Sequence, residues 1–237
     1  MAFSLKEKIE SEKQLLVEQR KNEEYEKLLS QARFLALQSQ INPHFLFNTL
    51  NSINRTVMLG RREQALTMLD SLSVLLRYNL ADAQMPALLG EELGITEEYL
   101  KIQKMRFSSR LNVDVRHDRK LEQAVTLPRF TLQPLVENAV IHGLEPKEEG
   151  GTLILDVRKT GNYIRIRICD NGMGIEKERL ERIRRRLSEK QPERIGVWNI
   201  WQRLSLYTGR DDSLKIMSKK GAGTIVSIYL HRGEEDV

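Results

Sequence analysis

The sequence predicts an α+β protein in which an N-terminal helical hairpin, forming a dimeric four-helix bundle, precedes a two-layer α/β sandwich with a mixed sheet. Two observations predict this class. Apolar residues recur with helical spacing up to about residue 107, whereas short alternating strands and helices follow from about residue 110. The chain of 237 residues is long enough for such a domain with a helical extension. We predict three regions, 1–29, 30–107 and 108–237.

The N-terminal region is predicted to be part of a long polar helix. Residues 5–40 are rich in Glu, Lys and Gln and contain neither Pro nor Gly. Their sparse apolar seam has weak coiled-coil character. The heptads do not keep one register, so the sequence does not decide whether this helix forms a coiled coil.

Two amphipathic helices are predicted to follow and to meet near Gly60. The first carries an apolar stripe at intervals of three and four residues: Leu46, Leu50, Ile53 and Val57. The second, over 62–80, carries another: Ala65, Leu69, Leu72, Leu76 and Leu80. One hairpin cannot cover its own apolar face, so we predict that two copies form a four-helix bundle. A further helix is predicted over 91–106.

The last region is predicted to be a sheet covered by helices. Alternating apolar residues predict a strand at 111–115 and a hairpin of 152–160 and 163–170, joined at Gly161-Asn162. A second hairpin closes the domain. Its strands are 213–219 and 224–230. The three helices predicted for this region are 130–142, 177–190 and 196–207. The sheet is expected to be mixed and largely antiparallel.

Composition restricts the function classes. The net charge of +5 and the pI of about 9.3 favour an anionic partner, such as a nucleotide, a nucleic acid or a membrane surface. Aromatic residues make up only 6%, which argues against base-stacking RNA modules. The single cysteine, Cys169, excludes an intramolecular disulfide and a thiolate metal cluster. No apolar run approaches the roughly 20 residues that span a bilayer.

A histidine follows proline in the segment QSQINPHFLFNTLNSI. On a helical wheel it shares a polar face, opposite the apolar stripe, with three other residues; the four are His44, Asn48, Asn51 and Arg55. His44 is therefore expected to face solvent. It is either an ordinary surface histidine or a nucleophile, since imidazole is mostly uncharged at pH 7. Pro43 is expected to bend the helix beside it.

An aspartate ends the second predicted strand of the first hairpin. In 163–170 the isoleucines point to one face, and parity places Asp170 on that same face. A carboxylate there costs several kcal/mol unless a partner such as the amino group of a purine satisfies it. Gly172 and Gly174 would let the backbone approach a ligand closely. The alternative is an ordinary Asp-Asn-Gly turn.

Further polar and glycine positions accompany these two. Asn138 and His142 share a helix flank, and the amide oxygen of Asn138 suits Mg²⁺. Gly196 opens a helix whose N-terminal amides could bind phosphate. The segment GAGT precedes the last strand and contains Gly221, Gly223 and Thr224. Taken singly, each can also be an exposed flank or a bland turn.

The order of these features resembles the H, N, G1, G2 and G3 boxes of sensor histidine kinases. The segments LQSQINPHFLFNTLNSI, LPRFTLQPLVENAVIHG and DNGMGI resemble the LytS/YesM-type family, and the resemblance extends over about 30–230. It implies a GHKL/Bergerat-type domain over 108–237 that binds ATP and Mg²⁺, with Asn138 on the metal and Asp170 reading adenine. The remaining implied nucleotide-binding residues are His142, Gly172, Gly174, Gly196, Gly221, Gly223 and Thr224.

The same resemblance implies an enzyme, a homodimeric protein-histidine kinase. His44 would take the γ-phosphoryl group and pass it to an aspartate on a response regulator receiver domain, with no nucleic acid as partner. Phe45 stands where the commonest histidine kinases carry an acidic base, so Glu137 is one candidate base. By analogy, Asn48 could position water for dephosphorylation. The chain is expected to be the cytoplasmic portion of an inner- or plasma-membrane protein, contacting the membrane only through a sensor region absent from it.

Two positions of the sequence differ from the pattern of related proteins, and two other functions are compatible with part of it. Pro134 stands four residues before Asn138, where water-activating ATPases of this fold carry glutamate, and this favours transfer over plain hydrolysis. Ile141 replaces a lysine common in relatives. The basic run Arg184–Arg186 is either a phosphate contact or a solvated helix face. A nucleotide-binding regulatory module without histidine phosphorylation is the first alternative, and a basic coiled-coil protein, which leaves Asp170 unexplained, is the second.

Overall fold

The computed structural model describes residues 13–17, 19–20, 43–79, 85–190 and 196–231. The chain divides into two compact units, Met1–Asn48 and Thr49–Val237. Most of the predicted N-terminal helix, 5–40, lies outside the described residues. The parts of it that are described, 13–17 and 19–20, are helical. The residues in front of Pro43 also lie outside, so the predicted bend there stays a prediction. The boundaries of the three predicted regions, 1–29, 30–107 and 108–237, also stay predictions.

The predicted hairpin and the helix after it are present. The elements are α1 (Pro43–Met58), α2 (Arg62–Asn79), β1 (Pro86–Leu88) and α3 (Leu89–Phe107). The chain turns between α1 and α2 at Gly60, where φ is +73°. Within the described residues, no helix is both long and apolar enough to cross a bilayer.

Helix α2 has two apolar faces. One face packs on α3 and buries Ala65, Met68, Ser71, Leu72 and Leu75. The hydroxyl of Ser71 donates to the Glu98 carboxylate of α3 at 2.6 Å. The other face leaves Leu66 and Leu69 exposed, and on α1 Leu50 and Val57 are 44% and 57% exposed. Of the stripe predicted for α2, Ala65 and Leu72 are thus covered within the same chain, and Leu69 is left exposed; the four-helix bundle stays a prediction.

The α/β part contains a mixed sheet, as predicted. The remaining elements are β2 (Leu111–His117), α4 (Arg119–Ala124), β3 (Thr126–Pro128), α5 (Leu132–Asn138), β4 (Gly151–Thr160), β5 (Tyr163–Asp170), α6 (Lys177–Ser188), α7 (Gly196–Thr208), β6 (Leu214–Lys219) and β7 (Gly223–His231). The strand order is β2-β4-β5-β7-β6. The β2–β4 pair is parallel and the other pairs are antiparallel. A small antiparallel sheet joins β1 to β3.

One face of the five-stranded sheet forms the core. Its apolar side chains are fully buried beneath helices: Leu153, Leu155, Ile166, Ile168 and Ile228. Helix α5 continues as a π-helical turn, Ala139–Leu144, which contacts β4, β5 and β7, while α6 contacts β6. The alternation predicted for 163–170 is confirmed, because every second residue of β5 is buried. This two-layer arrangement brings the end of α5 beside the ends of β5 and β7.

The other sheet face carries charges around one buried carboxylate. Asp156 is 2% exposed. Its oxygens lie 2.7 Å from Arg158, 3.5 Å from Arg167 and 3.9 Å from Arg165. Because these three cations share one anion, Asp156 stabilises β4 and β5 by balancing their charge.

We expect Asp156→Asn to lower the free energy of unfolding by roughly 1–3 kcal/mol, because it removes a buried charged hydrogen-bond acceptor without changing its size. Asp114→Asn is the matched control, since Asp114 pairs with Arg116 at an exposed position of β2. Its effect should stay within about 0.5 kcal/mol. Urea unfolding of the two variants measures the difference, and equal losses would contradict the role given to Asp156.

Candidate functional site

A cavity of about 330 Å³ lies beneath α5, α6 and the start of α7, over β5 and β7. The volume is within the range of small-molecule sites in proteins. Most of its lining is apolar. The lining residues are Leu135, Asn138, Ala139, His142, Gly143, Ile168, Asp170, Gly174, Ile175, Arg179, Ile183, Gly196, Val197, Ile216, Thr224 and Val226.

Asp170 lies at the floor of the cavity, as the strand parity predicted. Its side chain is at the end of β5 and the residue is only 9% exposed. Burial raises the pKa of Asp170, whereas hydrogen bonds from the backbone N–H groups of Gly172 and Thr224 lower it. The Gly172 bond measures 2.9 Å. A carboxylate that still has acceptor capacity in an apolar cavity is suited to bind an amino group.

Two glycines allow the backbone to pack directly around Asp170. A Cβ on Gly172 would lie 2.2 Å from the carbonyl carbon of Gly143, so no other residue fits without a shift. Gly223 has φ +109°, and a Cβ there would lie 2.0 Å from the backbone oxygen of Asp170. The turn after β5 therefore packs backbone against backbone on both the π-helical turn and β7.

Asn138 lies at the last turn of α5 and faces the start of α7. Its Nδ2 is 4.0 Å from the position that a Cβ on Gly196 would occupy. Gly196 is the first residue of α7, as predicted. Among the described residues, no group of three or more His, Cys, Asp or Glu could hold a metal ion. Mg²⁺ needs few protein ligands when phosphate oxygens complete its shell, so a single amide oxygen fits an ion that arrives with a nucleotide.

The other sequence-predicted positions of this domain differ in their relation to the cavity. His142, Gly174 and Thr224 line it, and His142 is exposed. Gly221 is not among the lining residues, but its N–H donates to the Met173 carbonyl at 2.7 Å. This bond ties the β6–β7 turn to the loop after β5.

Glu137 lies outside the cavity lining. It is half-buried on α5 and acts on Tyr99 of α3, whose pKa is raised by burial and further by the Glu137 charge. The side chain thus belongs to the boundary between α5 and α3.

His44 and Asn48 lie in the first unit of the chain, at the beginning of α1. His44 is exposed, as the helical wheel predicted, and so are Asn51 and Arg55 further along α1. The Asn48 amide nitrogen lies 3.1 Å from His44 Nε2 and 3.3 Å from Nδ1. The amide therefore lies against the edge of the imidazole that holds both ring nitrogens.

One cation of the cavity was not predicted from the sequence. Arg179, in the first turn of α6, lines the cavity together with Ile183 one turn later. The basic run Arg184–Arg186 was the predicted candidate for a phosphate contact. Its first residue, Arg184, instead donates to the backbone carbonyl of Ile216 at 2.6 and 3.1 Å. Arg179 and Ile183 are four residues apart and therefore share one helix face. This spacing is the sequence signal that could have identified Arg179.

Comparison with protein families agrees with this geometry. Residues 32–111 match the histidine kinase model, and residues 124–234 match the model of histidine kinase-, DNA gyrase B- and HSP90-like ATPases. The two matches cover most of the chain. The chain belongs to the histidine kinase family, and its α/β part is an ATPase-type domain of that family. The predicted resemblance to the LytS/YesM type is confirmed.

Three curated relatives are similar over nearly the whole chain. Sensor histidine kinase YesM of Bacillus subtilis (strain 168) is 35% identical, over 88% of this chain and 35% of YesM. Sensor histidine kinase YpdA of Escherichia coli (strain K12) is 33% identical, over 88% of this chain and 36% of YpdA. Sensor protein LytS of Oceanobacillus iheyensis is 35% identical, over 89% of this chain and 36% of LytS. The chain thus spans about a third of the length of these relatives.

Solved histidine kinase structures are also similar. The histidine kinase domain of a blue-light activated kinase from Erythrobacter litoralis is 18% identical with a TM-score of 0.44, covering 82% of this chain and 90% of that one. The histidine kinase AdeS of Acinetobacter baumannii is 13% identical with a TM-score of 0.42, covering 74% and 82%.

Asp170 should make the stability of the nucleotide-free protein depend on pH. Because its pKa is raised in the fold, the stability due to its protonated form is present in acid and is lost as pH rises through the folded-state pKa. Asp170→Asn removes this loss. The unfolding free energy of the wild type, measured relative to Asp170→Asn, should therefore rise as pH is lowered from neutral towards the ordinary aspartate pKa of about 3.9.

Urea unfolding at a series of pH values measures this difference, with Asp70→Asn at an exposed position of α2 as the control for losing a carboxylate. A wild-type advantage that shrinks on acidification would contradict the burial argument.

Proposed function

We propose that this chain is the kinase core of a two-component sensor, in which ATP phosphorylates His44 and the phosphoryl group passes to an aspartate of a response regulator receiver domain. The observation that carries the proposal is the buried Asp170 carboxylate at the floor of a cavity in an ATPase-type domain. The same chain carries an exposed histidine in the segment that matches the histidine kinase model.

In this proposal ATP is the substrate of the cavity. Asp170 accepts a hydrogen bond from the adenine amino group, and the apolar lining holds the base. Gly196 and Val197 at the start of α7 and Arg179 line the cavity, and we propose that the N–H groups of this helix start and the Arg179 guanidinium bind phosphate oxygens. Asn138 would hold Mg²⁺, which when bound neutralises charge on the phosphates.

His44 is the proposed nucleophile. A ring nitrogen forms a bond to the γ-phosphorus, the bond from that phosphorus to its bridging oxygen breaks, and ADP leaves with the electron pair. A neutral imidazole needs orientation more than a base. Asn48 provides a contact that can orient the ring. The candidate base Glu137 and the dephosphorylation role of Asn48 stay predictions.

We further propose a homodimer and a membrane-bound context. The exposed apolar side chains of α1 and α2, among them Leu50, Val57 and Leu69, would be covered in a four-helix bundle formed by two copies. The relatives that carry sensor names are about three times as long as this chain. We propose that the chain acts as the cytoplasmic part of such a sensor, which contacts the membrane through another region.

Incubation with γ-labelled ATP and Mg²⁺ tests the reaction. We expect the wild type to take up label that is lost in acid and stable in base, and His44→Gln to fall to background. His117→Gln is the matched control, because His117 lies on β2 beside Glu122 and is not among the cavity lining residues. It should label like the wild type.

Two other results would decide against the proposal. Label that persists in His44→Gln would place the phosphoryl group elsewhere. A wild-type dimer that binds Mg·ATP but never labels would favour the alternative function, a nucleotide-binding regulatory module.

A further inference from the structure

A buried carboxylate of α3 caps the start of α5. Glu92 is 1% exposed. Its two oxygens accept the backbone N–H groups of Phe130 at 2.7 Å, Thr131 at 2.9 Å and Leu132 at 2.8 Å. Leu132 is the first residue of α5, whose own N-cap residue supplies no side-chain cap. A residue about 40 positions earlier in the chain therefore satisfies the free donors of this helix.

The same segment is held from its other side by α7. Arg203 donates to the carbonyl of Arg129 at 2.8 Å and to that of Phe130 at 2.7 Å. Phe130 has φ +60°, an uncommon conformation for a residue other than glycine. Its conformation is thus fixed by Glu92 on its N–H and by Arg203 on its carbonyl. Since α7 also begins near Asn138, the first residue and the middle of this helix both lie beside the α5 region.

Helix α2 reaches the same carboxylate through one hydroxyl. Tyr78, near the end of α2, donates its O–H to Glu92. Its ring packs edge-on against Phe130, with 5.1 Å between centroids, and the Arg129 guanidinium lies 5.0 Å from its ring centre. The buried oxygens of Glu92 therefore join helix α2 of the hairpin to the first residues of α5.

Helix α3 also contacts the far end of the α5 segment. Arg106, in its last turn, pairs with Glu145, which directly follows the π-helical turn. The segment from Leu132 to Glu145 is thus anchored to α3 at both ends, and Asn138 lies halfway between the anchors. Asn138 thus lies within a segment that α3 contacts on both sides.

We infer that Glu92 is a positioning residue that holds Asn138 in place for Mg·nucleotide binding, and that the Tyr78 hydroxyl makes this position depend on α2. The inference rests on the proposed function. Glu92 touches no part of the cavity and acts through the backbone of 130–132.

Glu92→Gln tests the inference directly. The amide keeps the size of the side chain but has one acceptor oxygen, so at least one of the three backbone N–H groups loses its partner. Isothermal titration with Mg·ADP should show an affinity roughly tenfold weaker than wild type, the scale seen when an outer-shell partner is removed. Hydrogen exchange at 130–138 should be faster. Glu97→Gln, at an exposed position of the same helix, should match the wild type in both measurements.

Tyr78→Phe is the milder second variant, which removes only the hydroxyl and keeps the ring against Phe130. We expect faster exchange at 130–132 and a severalfold lower rate of His44 labelling, with Mg·ADP affinity reduced less than in Glu92→Gln. It supplies the test if Glu92→Gln does not fold.

The outcomes separate the two claims. If the wild type binds Mg·ADP and folded Glu92→Gln binds it within twofold, or if Tyr78→Phe changes neither exchange nor labelling, the inference is overturned and the proposed function stands. If the wild type itself binds no Mg·ADP, the proposed function falls and the inference falls with it.

Discussion

The burial of the Asp170 carboxylate is the constraint on which the arrangement of the cavity depends. A buried charge is costly, and two backbone N–H groups satisfy part of it. To supply one of them the chain must turn back immediately after β5, which presses Gly172 against Gly143 at a distance that no Cβ tolerates. That contact fixes the π-helical turn after α5 and, through it, the end of the helix that carries Asn138.

The helical part and the cavity are joined by a buried charged network. Glu92 receives three backbone N–H groups and the Tyr78 hydroxyl, while Arg203 binds the carbonyls of the same segment. Buried charges of this kind stabilise a fold only when all their partners are in place. Such a network has one well-satisfied arrangement, so it suits a junction between a helical hairpin and a nucleotide site.

Local patterns predicted much of the fold, and of the site they predicted Asp170 best. Side chains alternate along a strand by covalent geometry, so the isoleucines of 163–170 were sufficient to place Asp170 on the buried face. Helical spacing likewise placed His44 on the exposed side of α1. Glu92 could not be predicted in this way, because its partners lie 38 to 40 residues further along the chain. The second apolar face of α2 was missed for a related reason: periodicity gives the spacing of a stripe but not the helix that covers it.

The chain belongs to the histidine kinase family and contains an ATPase-type domain, and the central proposal is that Asp170 binds the adenine base in this cavity. A crystal structure of the full chain with Mg²⁺ and a non-hydrolysable ATP analogue tests it most directly. The adenine amino nitrogen should lie about 3 Å from a carboxylate oxygen of Asp170, as in an ordinary hydrogen bond. A base bound outside the cavity, or one that meets Asp170 through no hydrogen bond, would contradict the account.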